Sequence, residues 1–299
     1  MSGAYDNPSG HRYITIVGSA LLAFFSIALL AAADPQPASA DLTSKPAWAT
    51  AIGKDQYGTW ADLVVKGVTQ RFRLIPAGTF NMGSPENDVW HDVNGEHSET
   101  LHAVTITHSF WIGDSTCTQS LWIAIMGNNP STRHDDPLLP VETISWNDCH
   151  DFIDRFNMFI GSAHIRFPTE CEWEYACRAG TTGLYGGQSL ADMGWFMDTE
   201  RIEYTIHPVK SKKPNSWGIY DMHGNVLQWC SDWYADYDVK SAIDPTGPLS
   251  GTERILRGGC SASRAESCRS ANRGANPPSE LSEWYGFRIC ISVQPASSP

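Results

Sequence analysis

The sequence predicts a loop-rich α+β domain, and three observations carry the prediction. Short β-branched and aromatic runs in the first half alternate with turn residues. Three helix signatures follow, each with an identifiable start or stop. The second half is dense in Gly, Asn, Pro and Trp: the chain holds 12 Trp and 25 Gly among its 299 residues. That composition suits irregular segments pinned by large aromatic anchors rather than a repetitive helical array.

The elements follow in order. Phe72, Leu74 and Ile75 run into Pro76-Ala77-Gly78, a strand entering a turn. Val104, Ile106, Phe110 and Ile112 predict a strand pair around Ala103–Ile112. Thr118 caps a helix that runs to Met126 and stops at Gly127. Trp146–Phe159 is predicted as a second helix, with Phe152, Ile153, Phe156 and Phe159 along one face. Thr169 and Glu172 have capping-box spacing and open a third, ending near Arg178-Ala179-Gly180. From Gly180 onward the pattern is loop with short strands. Segments that long are uncommon in compact domains unless something holds them.

Residues Ile14–Ala33 are uncharged and mostly apolar, preceded by Arg12 and followed by the small-residue run Ala38-Ser39-Ala40. This is the layout of an export signal, yet twenty residues also suffice to span a bilayer. Residues 1–40 are therefore expected to be a signal peptide or an N-terminal membrane anchor, 41–56 a linker, and 57–299 the folded domain. Either reading places the domain outside the cytoplasm: periplasmic, extracellular, or anchored and facing outward.

The net charge is −12. With no basic run, it argues against a nucleic-acid partner, which needs a clustered positive surface. A Walker-type phosphate loop and a Gly-x-Ser-x-Gly elbow are both absent. All eight cysteines lie beyond the apolar run: Cys117, Cys149, Cys171, Cys177, Cys230, Cys260, Cys268 and Cys290. In an oxidising compartment an even count permits disulfides, with pairing open.

The most chemically suggestive stretch is Arg257-Gly258-Gly259-Cys260, followed by Cys268-Arg269-Ser270-Ala271-Asn272-Arg273 and Gly286-Phe287-Arg288. Two thiols bracket a short segment with arginines behind them. Cations favour thiolates, so a redox or metal-assisted thiol site is one reading; a disulfide or two buried thiols is the other. His91, His97 and His102 share an acidic loop with Asp88, Asp92, Glu96 and Glu99; imidazoles there could hold a transition metal, and the composition equally suits a solvated surface. Glu170, Glu172 and Glu174 on the third helix read as capping and salt bridges to Arg166, Arg178, Arg269 and Arg273 rather than as acid–base catalysts.

Several blocks together resemble one family. They are Pro76–Ser84, Pro140-Val141 with Ser145-Trp146-Asn147-Asp148, Arg166–Ala176, Pro214–Trp229, and the Arg-Gly-Gly to Gly-Phe-Arg segment. In this order, over about residues 71–292, they are similar to the formylglycine-generating enzymes, or sulfatase-modifying factor domains. The resemblance implies a variant of the C-type lectin fold, low in regular secondary structure. It implies a Ca²⁺ site at Asp221, Gly224 and Val226 through backbone oxygen, and Gln228, where Gln228 stands in place of the family's Glu. It implies that Arg269, Arg273 and Trp229 bind a protein or peptide substrate such as a sulfatase, and that thiols act with Cu(I) to oxidise a substrate cysteine. Active members carry two cysteines five residues apart. Here the only two in that region are Cys260 and Cys268, eight apart, with Cys260 replacing the family's Ser. Two functions therefore stand: an O₂-dependent thiol oxidase using Cys260 and Cys268, and a catalytically inactive ligand- or protein-binding module on the same fold.

Overall fold

Alternating side chains build the first sheet. The computed structural model describes residues 45–88, 98–161, 163–187, 189–197, 204–237 and 242–293. The chain divides into two units, Met1–Gln36 and Pro37–Pro299, and every described residue belongs to the second. A meander of β1 (Ala51–Asp55), β2 (Gly58–Val65) and β3 (Val68–Ile75) points Ala61, Leu63, Val65 and Phe72 inward. β4 (Gly78–Met82) and β5 (His102–Ile106) leave this sheet as a hairpin. The chain returns as β6 (Phe110–Gly113), which lies against β3 and is buried throughout.

Helix α1 (Gln119–Met126) begins at Thr118, whose hydroxyl accepts from Leu121 N, and ends at Gly127 with φ 83°. Helix α2 (Trp146–Ile160) carries a capping box between Ser145 and Asp148 and buries Cys149, Phe152, Ile153 and Phe156. Phe159, expected on the same face, is 57% exposed; it lies in the last turn, under Lys66 Nζ at 5.5 Å from its ring centre. A short β7 (Ile165–Arg166) leads to α3 (Glu170–Arg178), where the Thr169–Glu172 capping box forms as the spacing predicts. A one-turn α4 (Leu190–Met193) follows. The remaining strands are short: β8 (Leu227–Trp233), β9 (Ala242–Ile243), β10 (Arg254–Arg257), β11 (Arg273–Asn276), β12 (Tyr285–Phe287) and β13 (Cys290–Ser292).

Among the described residues three sheets result, ordered β1-β2-β3-β6-β13-β7, β11-β10-β8-β12 and β4-β5-β9. Strand alternation splits the core of the largest. Trp111 and Ile291 pack with Phe72, Phe152, Phe156 and Phe287 on the α1/α2 side. Phe110, Ile112 and Cys290 pack with Trp173, Ile219 and Met222 on the α3 side. A period of two places successive residues on opposite faces, so one strand serves both clusters.

The folded unit begins earlier than the expected boundary at Tyr57. Trp48 and Ala49 are in the core, and Trp48 meets Phe72 and Trp111 edge-on at 5.3 and 5.5 Å. The expected 41–56 linker thus contains β1. Its alternation is weak because β1 is an edge strand with no fully buried position. The run Ile14–Ala33 lies outside the described residues; among those described, no helix is long and apolar enough to cross a membrane.

Candidate functional site

β10 ends in Arg257, and two glycines then turn the chain. Gly258 has φ +96° and Gly259 has φ +70°, the left-handed region that side chains resist. Space adds a second reason at Gly259, where a Cβ would stand 2.6 Å from Cys268 Sγ. The turn therefore brings Cys260 and the 3-10 turn Ala265–Cys268 onto one another. The two thiols are close enough that charge on Cys260 opposes ionisation of Cys268.

Neither thiol is set up as a thiolate. Cys260 is 5% exposed and Cys268 fully buried. Burial raises the Cys260 thiol, only partly offset by hydrogen bonding to Ser263. Burial raises Cys268 further. A Cu(I) dithiolate requires both to lose their protons, and the surroundings oppose that at each. By donor type two neighbouring thiols suit Cu(I), but as they stand both are buried and protonated. The expected disulfides are not formed either: all eight cysteines are free and buried.

The arginines behind the thiols face inward, not toward a substrate. Arg269 makes a two-pronged contact with Glu99, both N–O distances 2.8 Å, with each side chain 1% exposed. Arg273 grips Glu170 in the same way at 2.7 and 2.9 Å and lies 3.9 Å from the ring centre of Tyr237. Trp229 is fully buried against Tyr285. These three, expected to bind substrate, are interior supports, because a desolvated guanidinium needs a carboxylate partner more than it needs access to solvent. The glutamates of α3 act as expected of structural carboxylates. Glu172 pairs with Arg166, Glu174 with Arg178 and Arg257, and Glu170 with Arg273.

At the expected calcium site, Gln228 is already satisfied. Its Oε1 accepts from Trp173 Nε1 at 2.8 Å and Arg288 Nε at 2.6 Å, while its Nε2 donates to the Asp221 carbonyl at 2.7 Å. This pattern fixes the amide orientation, since the flipped amide would face two donors with a donor. Arg288 is wholly buried and also donates to the carbonyls of Gly113 and Tyr220. A guanidinium thus supplies the local positive charge, and a cation on Gln228 Oε1 would meet it directly. Asp221 (φ +56°) accepts from Lys210 N at 3.0 Å, and burial lifts its carboxyl to about 6. Its Oδ1 is sealed with no partner. Gly224 donates to the Gly258 carbonyl, and Val226 is buried with Leu139 and Ile206. With the Gln228 oxygen held by Trp173 and Arg288, the side-chain part of the expected set is reduced to one Asp221 oxygen, and the set as it stands does not fit Ca²⁺.

The histidine that matters here is His223, which lies inside the Pro214–Trp229 block but outside the acidic histidine loop. It is fully buried, and Gly186 N donates to its Nε2 at 3.0 Å. Its Nδ1 therefore carries the proton and donates to the Cys268 carbonyl at 2.8 Å. Cys177 Sγ lies 3.6 Å from Nε2. Burial lowers the imidazole to about 4, so it stays neutral and ties the thiol segment to α3. No local pattern in the sequence marks it as a buried ring. His91 and His97 lie outside the described residues. His102 is buried, with Nδ1 2.9 Å from the Thr100 carbonyl and its ring tilted over Tyr237. Among the described residues no group of three or more His, Cys, Asp or Glu is placed to hold a metal ion.

A loop-rich α+β unit whose Arg-Gly-Gly turn and Gly-Phe-Arg strand are buried together defines the sulfatase-modifying-factor class of domain. The family described as "Sulfatase-modifying factor enzyme 1-like domain" matches residues 65–293, and the chain belongs to it. The formylglycine-generating enzyme of Streptomyces coelicolor is 35% identical over 171 residues, 51% of this chain and 52% of its own. The mouse "Inactive C-alpha-formylglycine-generating enzyme 2" is 29% identical over 172 residues, covering 52% and 50%. The chain thus spans about half the length of these relatives. Among solved structures, Treponema denticola variable protein 1 superposes with a TM-score of 0.71 at 27% identity, covering 78% of this chain and 99% of that one.

Proposed function

We propose that the chain is an exported, non-catalytic binding module on the sulfatase-modifying-factor fold. The observation that carries this reading is the state of the two thiols: Cys260 and Cys268 are closed off from solvent and held protonated by burial. Thiol chemistry needs an ionised, reachable sulfur. The arginines that would greet a substrate are bound to Glu99 and Glu170. That a relative at 29% identity is named inactive supports the reading, since the fold can outlast the reaction. Export rests on the Arg12-preceded apolar run Ile14–Ala33 and the Ala38-Ser39-Ala40 site. N-terminal sequencing of the native protein tests it. A start at Asp41 supports a cleaved signal, retention of Ile14–Ala33 on a membrane fraction supports an anchor, and a cytosolic protein with an intact N-terminus overturns export.

The enzyme reading keeps one observation in its favour, the proximity of Cys260 and Cys268. The deciding experiment incubates reduced, folded protein with Cu(I), oxygen and a sulfatase-type cysteine peptide, and follows the peptide mass. The expected result is neither copper uptake nor aldehyde. Aldehyde that disappears in Cys260→Ser would overturn the binding-module reading.

A further inference from the structure

A cleft of about 740 Å³ opens between α2, β7, the first turn of α3 and the start of β10. That volume suits a small organic ligand. Its walls are largely apolar, from Ile106, Phe110, Trp146, Ile153 and Phe167. Trp146 is held rigidly: it stacks on Phe167 at 5.0 Å, and its Nε1 donates to the Cys230 carbonyl at 2.9 Å.

One lining cation is without an ionic partner. Arg166 is paired with Glu172, while the carboxylates of Asp154 and Asp244 stand beside His150 and His108, which carry charge only when protonated. Arg254 has no carboxylate within ion-pairing reach among the described residues. Its guanidinium is sandwiched between the indoles of Trp146 and Trp233, 4.0 and 3.5 Å from the ring centres. Its Nη1 donates to the Ser231 carbonyl, and its Nε is sealed with no acceptor. Asp232 acts on it only at longer range; the Asp232 Oδ2 already takes Glu170 N and the Ser231 hydroxyl. A guanidinium flattened between two rings presents its edge, and with Nε sealed and one Nη1 proton on Ser231 the terminal Nη1/Nη2 end is the part left for a carboxylate.

The cleft also borders the edge strand β7, but an added peptide strand is excluded there. Asn157 Oδ1 accepts from Ile165 N at 2.7 Å, and Asn157 Nδ2 donates to Ile165 O at 2.8 Å. The side-chain amide occupies the backbone groups a new strand would use.

We propose that this cleft binds an aromatic carboxylate, with the acid group on the edge of Arg254 and the ring along Trp146, Phe110 and Ile153. The inference rests on the binding-module reading and gives that module a ligand class. The acid comes from a free small molecule rather than from a peptide C-terminus; the test separates the two.

Titrate the full purified chain with indole-3-acetate, following tryptophan fluorescence and calorimetry. Use indole-3-acetamide as the neutral control, acetate as the ring-less control, and an acetylated peptide ending in Phe with a free carboxylate as the rival source. The expected order is saturable binding of indole-3-acetate, with the amide and acetate each at least about tenfold weaker and the peptide weaker than the free acid. Arg254→Gln removes the preference for acid over amide, while Arg254→Lys keeps part of it. If Arg254→Gln does not fold, the acid-to-amide comparison on the unchanged protein decides alone. Equal affinity for acid and amide, no saturation at millimolar acid, or a peptide that outcompetes the free acid overturns the proposal. The copper–peptide assay on the same preparation decides the binding-module reading separately, so the two can fail apart.

Discussion

Glu174 and Arg257 form a charge pair in which neither side chain is reached by solvent. Glu174 also accepts from Gly83 N and Arg178 Nε, and Arg257 donates to the carbonyls of Ser270 and Ala271. The pair therefore joins α3, the β4 turn and the segment after Cys268. Glu174→Gln removes the close counter-charge of the buried Arg257 and leaves only Glu170, 3.7 Å from its Nε. The expected cost is about 3–5 kcal/mol in urea unfolding. A loss below about 1 kcal/mol would show that Glu170 and the carbonyls suffice.

Asp232 gives a pH signature. Burial, and then the negative charge of Glu170, raise its carboxyl from 3.8 to about 7. The folded state thus holds the proton more tightly than the unfolded chain. This stabilisation is complete below about pH 4 and is lost as the pH rises through about 7. Asp232→Asn keeps an acceptor without a charge. It should be more stable than the parent at pH 8, by about 1–2 kcal/mol, with the gap closing toward pH 4. His223 shifts in the opposite direction, but both proteins contain it and it cancels in the difference. A gap independent of pH would reject the assignment.

Two glycine substitutions separate clash from strain. Gly224 has φ +86°, and a Cβ there would lie 1.9 Å from the Trp195 carbonyl oxygen. Gly127 has a similar φ of +83° with nothing within 4 Å. Gly127→Ala should cost about 1 kcal/mol. Gly224→Ala should cost several times that, or prevent accumulation of folded protein. Equal melting temperatures for the two variants would contradict the packing described around Trp195.

Calcium should not move the melting curve. With the Gln228 oxygen taken by Trp173 and Arg288, melts in chelator and in millimolar Ca²⁺ are expected to superimpose. Gln228→Ala should instead destabilise by about 2–4 kcal/mol, since it strands two buried donors. A Ca²⁺-dependent rise in Tm in the parent would restore the expected ligand set, by mass action on the folded state.

The local signals were legible in the chain. Thr169 and Glu172 announced α3, Thr118 and Gly127 bounded α1, and the ordered blocks from Pro76 to Arg288 announced the family. Capping and turn chemistry act over three or four residues, so spacing alone reveals them. Tertiary structure decided what those residues do. The partners Arg269–Glu99 and Arg273–Glu170 are about a hundred residues or more apart in sequence. No local pattern says which arginine will be buried. Periodicity put Phe159 on the core face of α2, yet in the last turn it is exposed beneath Lys66. The acidic loop drew attention to its histidines, whereas burial selected His223. Gln228 read as a weakened calcium ligand until Arg288, sixty residues on, was found against its oxygen. Whether a thiol, a carboxylate or a guanidinium is chemistry or scaffold depends on desolvation and on its partner, and long-range packing alone supplies both.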